Sequence, residues 1–390
     1  LSIFTTSSRI IVTCPKRLSP FLAQEVETMG YAILRKFITG VELAGTVQDC
    51  IRLNLNLRCA SQVLYSLDEF YARDPEDVYK KLLRYPWEAL LSLQHYFSVT
   101  SNVDHFTVNN DMFINVKVKD AIVDRMRREV LGRPDSGSSH DKAVFHLYWK
   151  DDKAEIFLDT SGQTLAKHGY RKIPGKAPML EALAAATIFG TKWDKKMAFV
   201  NPMCGSGTLA IEAALMAANR APGLFRKNYS FMHVLGYEDE FYQAEVRKLH
   251  DQIVANPEVK IIATDISKDA IEISKVNAGI AGVAELIDFQ VCDFEETTIP
   301  EPPGVIYFNP EYGERLGETA ELEATYKRIG DFMKKKCQGF TGYIFTGNPD
   351  LAKKIGLKTS KRLEFYTAQL ECRLLEYEMY AGTRRTDKQA

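Results

Sequence analysis

A chain of 390 residues, 45% of them hydrophobic, is long enough for two or three domains and can bury a large core. Its formal net charge of -1 excludes a globally basic nucleic-acid binder, so a basic surface has to be sought locally. No apolar run reaches the length of a membrane span, Leu1 to Thr13 lacks the features of a secretion signal, and the seven cysteines are scattered and never spaced Cys-x-x-Cys, which leads us to expect a soluble cytoplasmic protein with reduced thiols and no structural zinc.

In chain order, Ile10-Ile11-Val12 predicts a strand and Pro20 to Met29 a helix ended by Gly30, while Tyr31 to Phe37 and Leu53 to Leu57 alternate like further strands. This succession predicts a small α+β unit of the split βαβ kind. Asp74 to Leu93 is helical in pattern, with Asp74 as N-cap and Pro75 at the first helical position. Phe97-Ser98-Val99 and Met112 to Val118 read as strands, Lys119 to Leu131 as a helix, and Ala143 to Trp149 with Ala154 to Leu158 as a strand pair turning at Asp151-Asp152. A second α+β module thus spans roughly residues 60 to 165.

Basic residues gather in and just after that module. Arg125 and Arg128 lie on its last helix, and between Thr160 and Leu180 there is no acid, only Lys167, His168, Arg171, Lys172 and Lys176 interleaved with Tyr170. Cations beside an aromatic ring suit phosphate contact with base stacking, although a solvated linker has the same composition.

From Pro178 onward short apolar runs alternate with long helical patterns, as in a parallel sheet covered on both faces. Met179 to Phe189 is an alanine-rich helix. The strands fall at Met197 to Val200, Lys260 to Ala263, Leu286 to Val291, Val305 to Phe308 and Tyr343 to Phe345, with Arg362 to Tyr366 and Glu371 to Met379 as a late pair and Arg384 to Ala390 as a tail. The first strand runs into Asn201-Pro202-Met203-Cys204-Gly205-Ser206-Gly207-Thr208, where the glycines allow a tight turn and close approach to a ligand, and Thr208 or Ser206 is a candidate cap for the next helix. Alone, such a pair equally fits a turn in which glycine relieves crowding. Asp265, Asp293 and Asn309 each follow a strand, so all three fall at the carboxyl edge beside the glycine turn; any one of them alone also fits a helix N-cap. Asp265 suits ribose hydroxyls and Asp293 an adenine amino group. A dinucleotide site would want an acid about twenty residues past the loop, where Phe225-Arg226-Lys227-Asn228 stands instead.

The turn Asn309-Pro310-Glu311-Tyr312-Gly313-Glu314-Arg315 suggests the chemistry. The lone pair of an exocyclic amine is delocalised into its ring. An Asn oxygen and the Pro310 carbonyl accept its two protons and aim its nitrogen at a methyl donor, while Tyr312 stacks on the base. Away from the glycine loop the same residues would read as an ordinary turn.

These two motifs, with Leu158-Asp159-Thr160-Ser161-Gly162 and His168-Gly169-Tyr170-Arg171 before them and Glu371-Cys372-Arg373-Leu374 after, resemble the bacterial THUMP-domain RNA methyltransferases over nearly the whole chain. Within that group the chain is most similar to the 23S ribosomal RNA guanine-N2 methyltransferases, once described as N6-adenine-specific DNA methylases. The resemblance implies a ferredoxin-like domain (residues 1–60) continuing around a THUMP RNA-binding domain (61–165), then an α/β Rossmann-like class I methyltransferase domain (166–383) of seven strands, the last antiparallel, and a tail (384–390). It implies S-adenosyl-L-methionine held by Asn201, Pro202, Cys204, Gly205, Gly207, Thr208, Asp265, Ile266, Asp293 and Asn309, a flipped base held by Asn309, Pro310, Glu311 and Tyr312, and RNA contacts from Arg125, Arg128, Lys167, Arg171 and Lys172.

Three positions depart from the family pattern: Asn201 stands where Asp is usual, Glu311 where Pro is usual, and Thr367-Ala368 where Asn-Gly is usual. A carboxylate at Glu311 either accepts from the N1 and N2 donors of guanine or points outward. The expected reaction is S-adenosylmethionine-dependent methylation of a guanine N2 in ribosomal RNA, 23S above all. It needs no metal and forms no covalent intermediate, since no cysteine lies beside the Asn-Pro turn. Transfer-RNA guanine-N2 methylation, DNA adenine-N6 methylation and a non-catalytic ribosome-assembly factor are the alternatives. No membrane partner is expected, and the sequence sets no oligomeric state.

Overall fold

The computed structural model describes residues 2–173, 178–313 and 319–380. They form two compact units: Leu1–Pro15 with Leu22–Lys167 and Pro222–Asp251, and Lys16–Phe21 with His168–Ala221 and Gln252–Ala390.

The first unit is built on one eight-stranded sheet. Its elements are β1 (Ser8–Thr13), β2 (Arg35–Phe37), β3 (Gly40–Gly45), α2 (Val47–Asn56), β4 (Gln62–Tyr71), α3 (Pro75–Leu82), β5 (Tyr96–Asp104), α4 (Asp111–Val130), β6 (Asp135–Ser136), β7 (Ala143–Lys150), β8 (Lys153–Asp159) and α7 (Asp239–Asp251); α1 (Ser19–Thr28) follows β1 in the chain. Strand order is β2-β3-β1-β4-β8-β7-β5-β6. The first four strands take the 2-3-1-4 order of the split βαβ arrangement. The long strand β4 pairs antiparallel with β8 and joins these four to the remaining strands as one sheet.

Expected helices and strands differ from the observed ones in several places. Leu53 to Leu57, expected as a strand, begins inside α2, whose start is fixed by a capping box between Thr46 and Asp49. The three leucines read as alternating, yet Asn54 between them is also buried and bonds Cys50 O and Thr160 Oγ1, both at 2.8 Å. Met112 to Val118, expected as a strand, belongs to α4, capped by Asn110. The residues it buries are Ile114, Val118, Ala121, Ile122, Val123 and Met126, one face of a helix, while Met112 and Val116, which complete the apparent two-residue alternation, are exposed. Of Tyr31 to Phe37 only the last three residues pair as a strand. Asp74 caps α3 with Pro75 in its first turn, as expected, but the helix expected to run to Leu93 ends at Leu82, and a separate 3-10 turn covers Trp87–Ala89.

The second unit carries a seven-stranded sheet: β9 (Ala198–Pro202), β10 (Ile261–Asp265), β11 (Ile287–Val291), β12 (Gly304–Phe308), β13 (Phe340–Thr346), β14 (Lys361–Thr367) and β15 (Leu370–Glu378), in the order β11-β10-β9-β12-β13-β15-β14. The first five are parallel and β15 runs antiparallel between β13 and β14. The helices are α5 (Glu181–Phe189), α6 (Thr208–Ala217), α8 (Lys268–Ala281), α9 (Thr319–Lys336) and α10 (Pro349–Lys354). Burial on both faces explains the unbroken apolar runs: all five residues of β9 and of β12 are buried. No helix among the described residues is long and apolar enough to cross a membrane.

Candidate active site

The strand order turns round at β9 and β12. Starting from β9 the chain builds outward through β10 and β11, then returns to pair β12 against the other side of β9, so the glycine turn and the Asn309 turn leave neighbouring strands at one carboxyl edge. Asn201 spans the two strands, its Nδ2 donating to Tyr307 O at 2.8 Å. Its Oδ1 is buried and finds no donor among the described residues.

The turn after β9 is held from two sides. Gly205 N donates to Asp265 Oδ2 at 2.9 Å, and Ser267 N donates to Asp265 Oδ1 at 2.9 Å, so the carboxylate at the end of β10 braces the loop. From α8, the Ser274 hydroxyl lies 2.7 Å from Gly205 O, and Asn277 Nδ2 donates to Ser206 O at 3.4 Å. Gly205 adopts a φ of +56° with no heavy atom within 4 Å of where a Cβ would point, so the space in front of it is open. Gly207, at φ +79°, packs so close to α8 that a Cβ would lie 2.9 Å from Ser274 Cβ. It is the N-cap of α6, and neither Ser206 nor Thr208 caps that helix. Thr208 instead accepts from Arg171 at 3.0 Å.

Ile266, directly after Asp265, is 73% exposed. Asp293 lies after β11 and accepts from Glu295 N at 3.0 Å and from Arg328 at 2.9 Å. Burial works to raise its pKa, but these donors and the guanidinium charge outweigh it and hold the carboxyl below its usual range. Desolvation pushes the Cys204 thiol up to about 12, which favours the protonated form at neutral pH. A buried acceptor without a donor, an open glycine cradle, a strand-end carboxylate and an uncovered isoleucine fit a nucleoside carrying an ammonium group.

On the neighbouring strand, Asn309 is half-buried, Pro310 buried and Glu311 exposed. Tyr312 packs partly into the core, and its carbonyl accepts from Asn348 Nδ2 at 3.4 Å. Glu314 and Arg315, the last residues of this motif, lie outside the described residues.

Two of the five candidate RNA contacts are committed within their own units. Arg125 pairs with Glu88, its Nε donating at 3.0 Å, and Arg171 lies 3.4 Å from Glu181 with its side chain only 10% exposed. Arg128, Lys167 and Lys172 are exposed. Lys176 lies outside the described residues.

Sequence reading passed over Ser274, Asn277 and Glu212. Asn277 Oδ1 accepts from Lys172 N and Ile173 N at 3.2 and 3.3 Å, so one buried carboxamide latches that segment to the glycine turn. Glu212, buried on α6, accepts from Tyr170 at 2.9 Å and meets His168 Nδ1 at 2.7 Å. A serine and an asparagine three apart on the helix after the second parallel strand were the only available signal.

Residues 168–376 match the family described as RMKL-like, methyltransferase domain, residues 9–64 the RlmL ferredoxin-like domain and residues 72–159 the THUMP domain. A relative from Syntrophotalea carbinolica, named ribosomal RNA large subunit methyltransferase K/L, is 34% identical over 95% of this chain and 53% of its own length. The chain thus spans about half the length of the curated relatives it matches. Among solved structures, "a possible methylase from Clostridium difficile 630" superposes with a TM-score of 0.87 at 28% identity, covering 97% of this chain and 100% of that one. "A predicted N6-adenine-specific DNA methylase" from Listeria monocytogenes gives 0.86 at 28% identity, covering 96% and 97%. With its parallel sheet, its glycine turn and its Asn-Pro turn on adjoining strands, the chain belongs to the RMKL-like methyltransferase-domain family and carries RlmL ferredoxin-like and THUMP domains before that domain.

Proposed function

We propose that this protein transfers a methyl group from S-adenosylmethionine to the exocyclic N2 of a guanine in large-subunit ribosomal RNA, by direct attack from a flipped base. The observation that carries this reading is the pairing of β9 with β12, which brings the glycine turn and Asn309 to the same edge of the sheet. The name of the Syntrophotalea relative supports ribosomal RNA as the substrate.

In this reading Gly205 leaves room for the cofactor while Gly207 lets the turn pack on α8, Asp265 and Asp293 accept from the cofactor's ribose and adenine, Ile266 covers one adenine face, and the lone Asn201 acceptor faces its ammonium. Each Asp265 oxygen braces one backbone N–H and retains a further lone pair for a hydroxyl. The bound cofactor supplies a methyl carbon activated by its sulfonium. Asn309 and the Pro310 carbonyl take the two amino protons and orient the nitrogen, and Tyr312 stacks on the base. Glu311 then accepts from guanine N1–H, a donor that adenine lacks at that position. Arg128, Lys167 and Lys172 are the proposed phosphate contacts.

Mass spectrometry of ribosomal and transfer RNA nucleosides from a deletion strain tests the assignment: N2-methylguanosine should fall in ribosomal RNA and return on re-expression. Loss from transfer RNA, or a change in DNA N6-methyladenine in keeping with the name of the Listeria neighbour, would replace the substrate. No change at all, with no methylation of deproteinised RNA, would leave a binding factor. Asn309→Ala should lower turnover by about a hundredfold or more with cofactor and RNA affinities nearly unchanged, because the orienting contacts tighten as the methyl moves.

A further inference from the structure

A groove of about 650 Å³ lies between β15, α10 and the segment after α10, within the second unit. One end of it is formed by Thr346 and Gly347, at the carboxyl end of β13. That end adjoins the Asn309 turn: a Cβ on Gly347 would sit 3.3 Å from Tyr312 Cδ2, and the next residue, Asn348, holds the Tyr312 carbonyl.

The groove has a cationic rim and an apolar lining. Arg373, Leu375 and Tyr377 alternate along β15 onto one face, and Arg362 stands opposite Leu375 on β14. Leu357 and Leu370 line it while partly open to solvent. Lys353, Arg362 and Arg373 face a single lining carboxylate, Glu371, and Lys353 is also paired with Asp350 at 2.8 Å, so the guanidinium groups are the available cations. Among the described residues Arg362 donates only to the neutral Thr359 hydroxyl, at 3.2 and 3.1 Å. The Arg373–Glu371 pair, at 2.9 Å, has side chains 42% and 45% exposed, so water already competes for it and an anion exchanges with it at little cost.

We propose that this groove is the subsite for the RNA nucleotide flanking the flipped base, with its phosphate on the forks of Arg362 and Arg373 and its base against Leu357 and Leu370. The inference rests on the proposed function for the position of the target base at Tyr312. Guanidinium forks match phosphate oxygens two at a time, and partly exposed leucines gain by covering a base face. A single strand whose target base lies on Tyr312 has its next nucleotide at the mouth of this groove.

The test uses the full chain and a fluorescein-labelled single-stranded RNA containing guanine, with anisotropy measured over a range of salt. Arg362→Ala with Arg373→Ala should weaken binding tenfold or more and lower the slope of log affinity against log salt by about 0.7 for each phosphate no longer neutralised. Cofactor affinity, read by calorimetry, should stay unchanged and serves as the control for folding. The double lysine variant should recover the salt slope but not the full affinity, since it restores charge without the fork. An unchanged affinity and slope in the folded double alanine variant would overturn the subsite. So would inorganic polyphosphate of matched charge competing as well as RNA, since that would reduce the groove to general attraction. Methylation by the wild-type chain is scored separately. Wild-type methylation with the double variant unaffected sinks only the subsite, whereas lost RNA binding in the variant with no wild-type methylation keeps the groove and sinks the reaction.

Discussion

Ala368 carries a backbone conformation that favours glycine. It sits at φ +53° in the turn between β14 and β15, where the Cβ of an L residue crowds the following carbonyl. A family that usually places Asn-Gly at this hairpin meets the same geometry without that cost. Ala368→Gly should therefore raise stability by about 0.5–1 kcal/mol, the steric relief being partly offset by the larger entropy that glycine loses on folding. Thermal unfolding checks it, and a lower midpoint would mean that the turn is not crowded by its Cβ. At the same scale, Asn201 and Glu311 keep polar atoms where the family pattern has Asp and Pro, and the exposed Glu311 is the residue through which base choice is most directly tested.

The helix α8 serves the glycine turn more than its own sequence suggests. Its buried Ser274 and Asn277 meet the carbonyls of Gly205 and Ser206, and the same Asn277 carries the backbone of Lys172 and Ile173. Asn277→Ala would remove the Asn277 partner of two backbone N–H groups and two carbonyls, so it should destabilise the chain by about 1–3 kcal/mol. It should also reduce cofactor affinity about tenfold, because the loop loses the Ser206 brace while Asp265 and Ser274 still hold Gly205. Chemical denaturation and calorimetry separate the effects. Loss of stability with cofactor affinity intact would make Asn277 a packing residue without influence on the site. In α4, likewise, the exposed Met112 and Val116 give a helix the apolar alternation of a strand.

At the scale of the whole first unit, a buried group and a half-buried one on adjacent strands set opposite pH dependences. Asp159, at the end of β8, is fully buried, and desolvation lifts its pKa from 3.8 to about 7 despite the Ser161, Gly162 and Gln62 donors and the nearby Arg226. A raised carboxyl binds its proton more tightly in the folded chain, so its contribution is complete below about pH 4 and is lost as pH rises to about 7. His146, on β7, goes the other way, since desolvation lowers its pKa from 6.5 to about 4. Its contribution is complete above pH 6.5 and is lost as pH falls through about 4. The two slopes oppose each other between pH 4 and 6.5. Asp159→Asn should thus unmask stability that rises with pH over that interval, and His146→Gln stability that falls, as read by denaturant midpoints at each pH. Parallel profiles for wild type and Asp159→Asn would show that Asp159 does not titrate in this range.

The sequence by itself determined the local part of the site. Strands buried on both faces, such as β10 and β12, read as apolar runs, and the residue that ends such a run is at the sheet's carboxyl edge, which is why Asp265 and Asn309 were legible as edge residues; Asp293 was legible from the alternation of β11, the outermost strand. Gly205 and Gly207 were legible because their positive φ leaves little choice of side chain. Tertiary structure alone decided the rest. Nothing local tells that β12 returns to the side of β9 about a hundred residues after it, that Glu88 captures Arg125, or that Glu181 and Thr208 engage Arg171. Each is a pairing of groups distant in sequence, and a charge run or an alternating stretch has the same composition whether its partner is solvent or another part of the fold. Local chemistry fixes which residues stand at an edge, but the order in which strands pack fixes which edges meet.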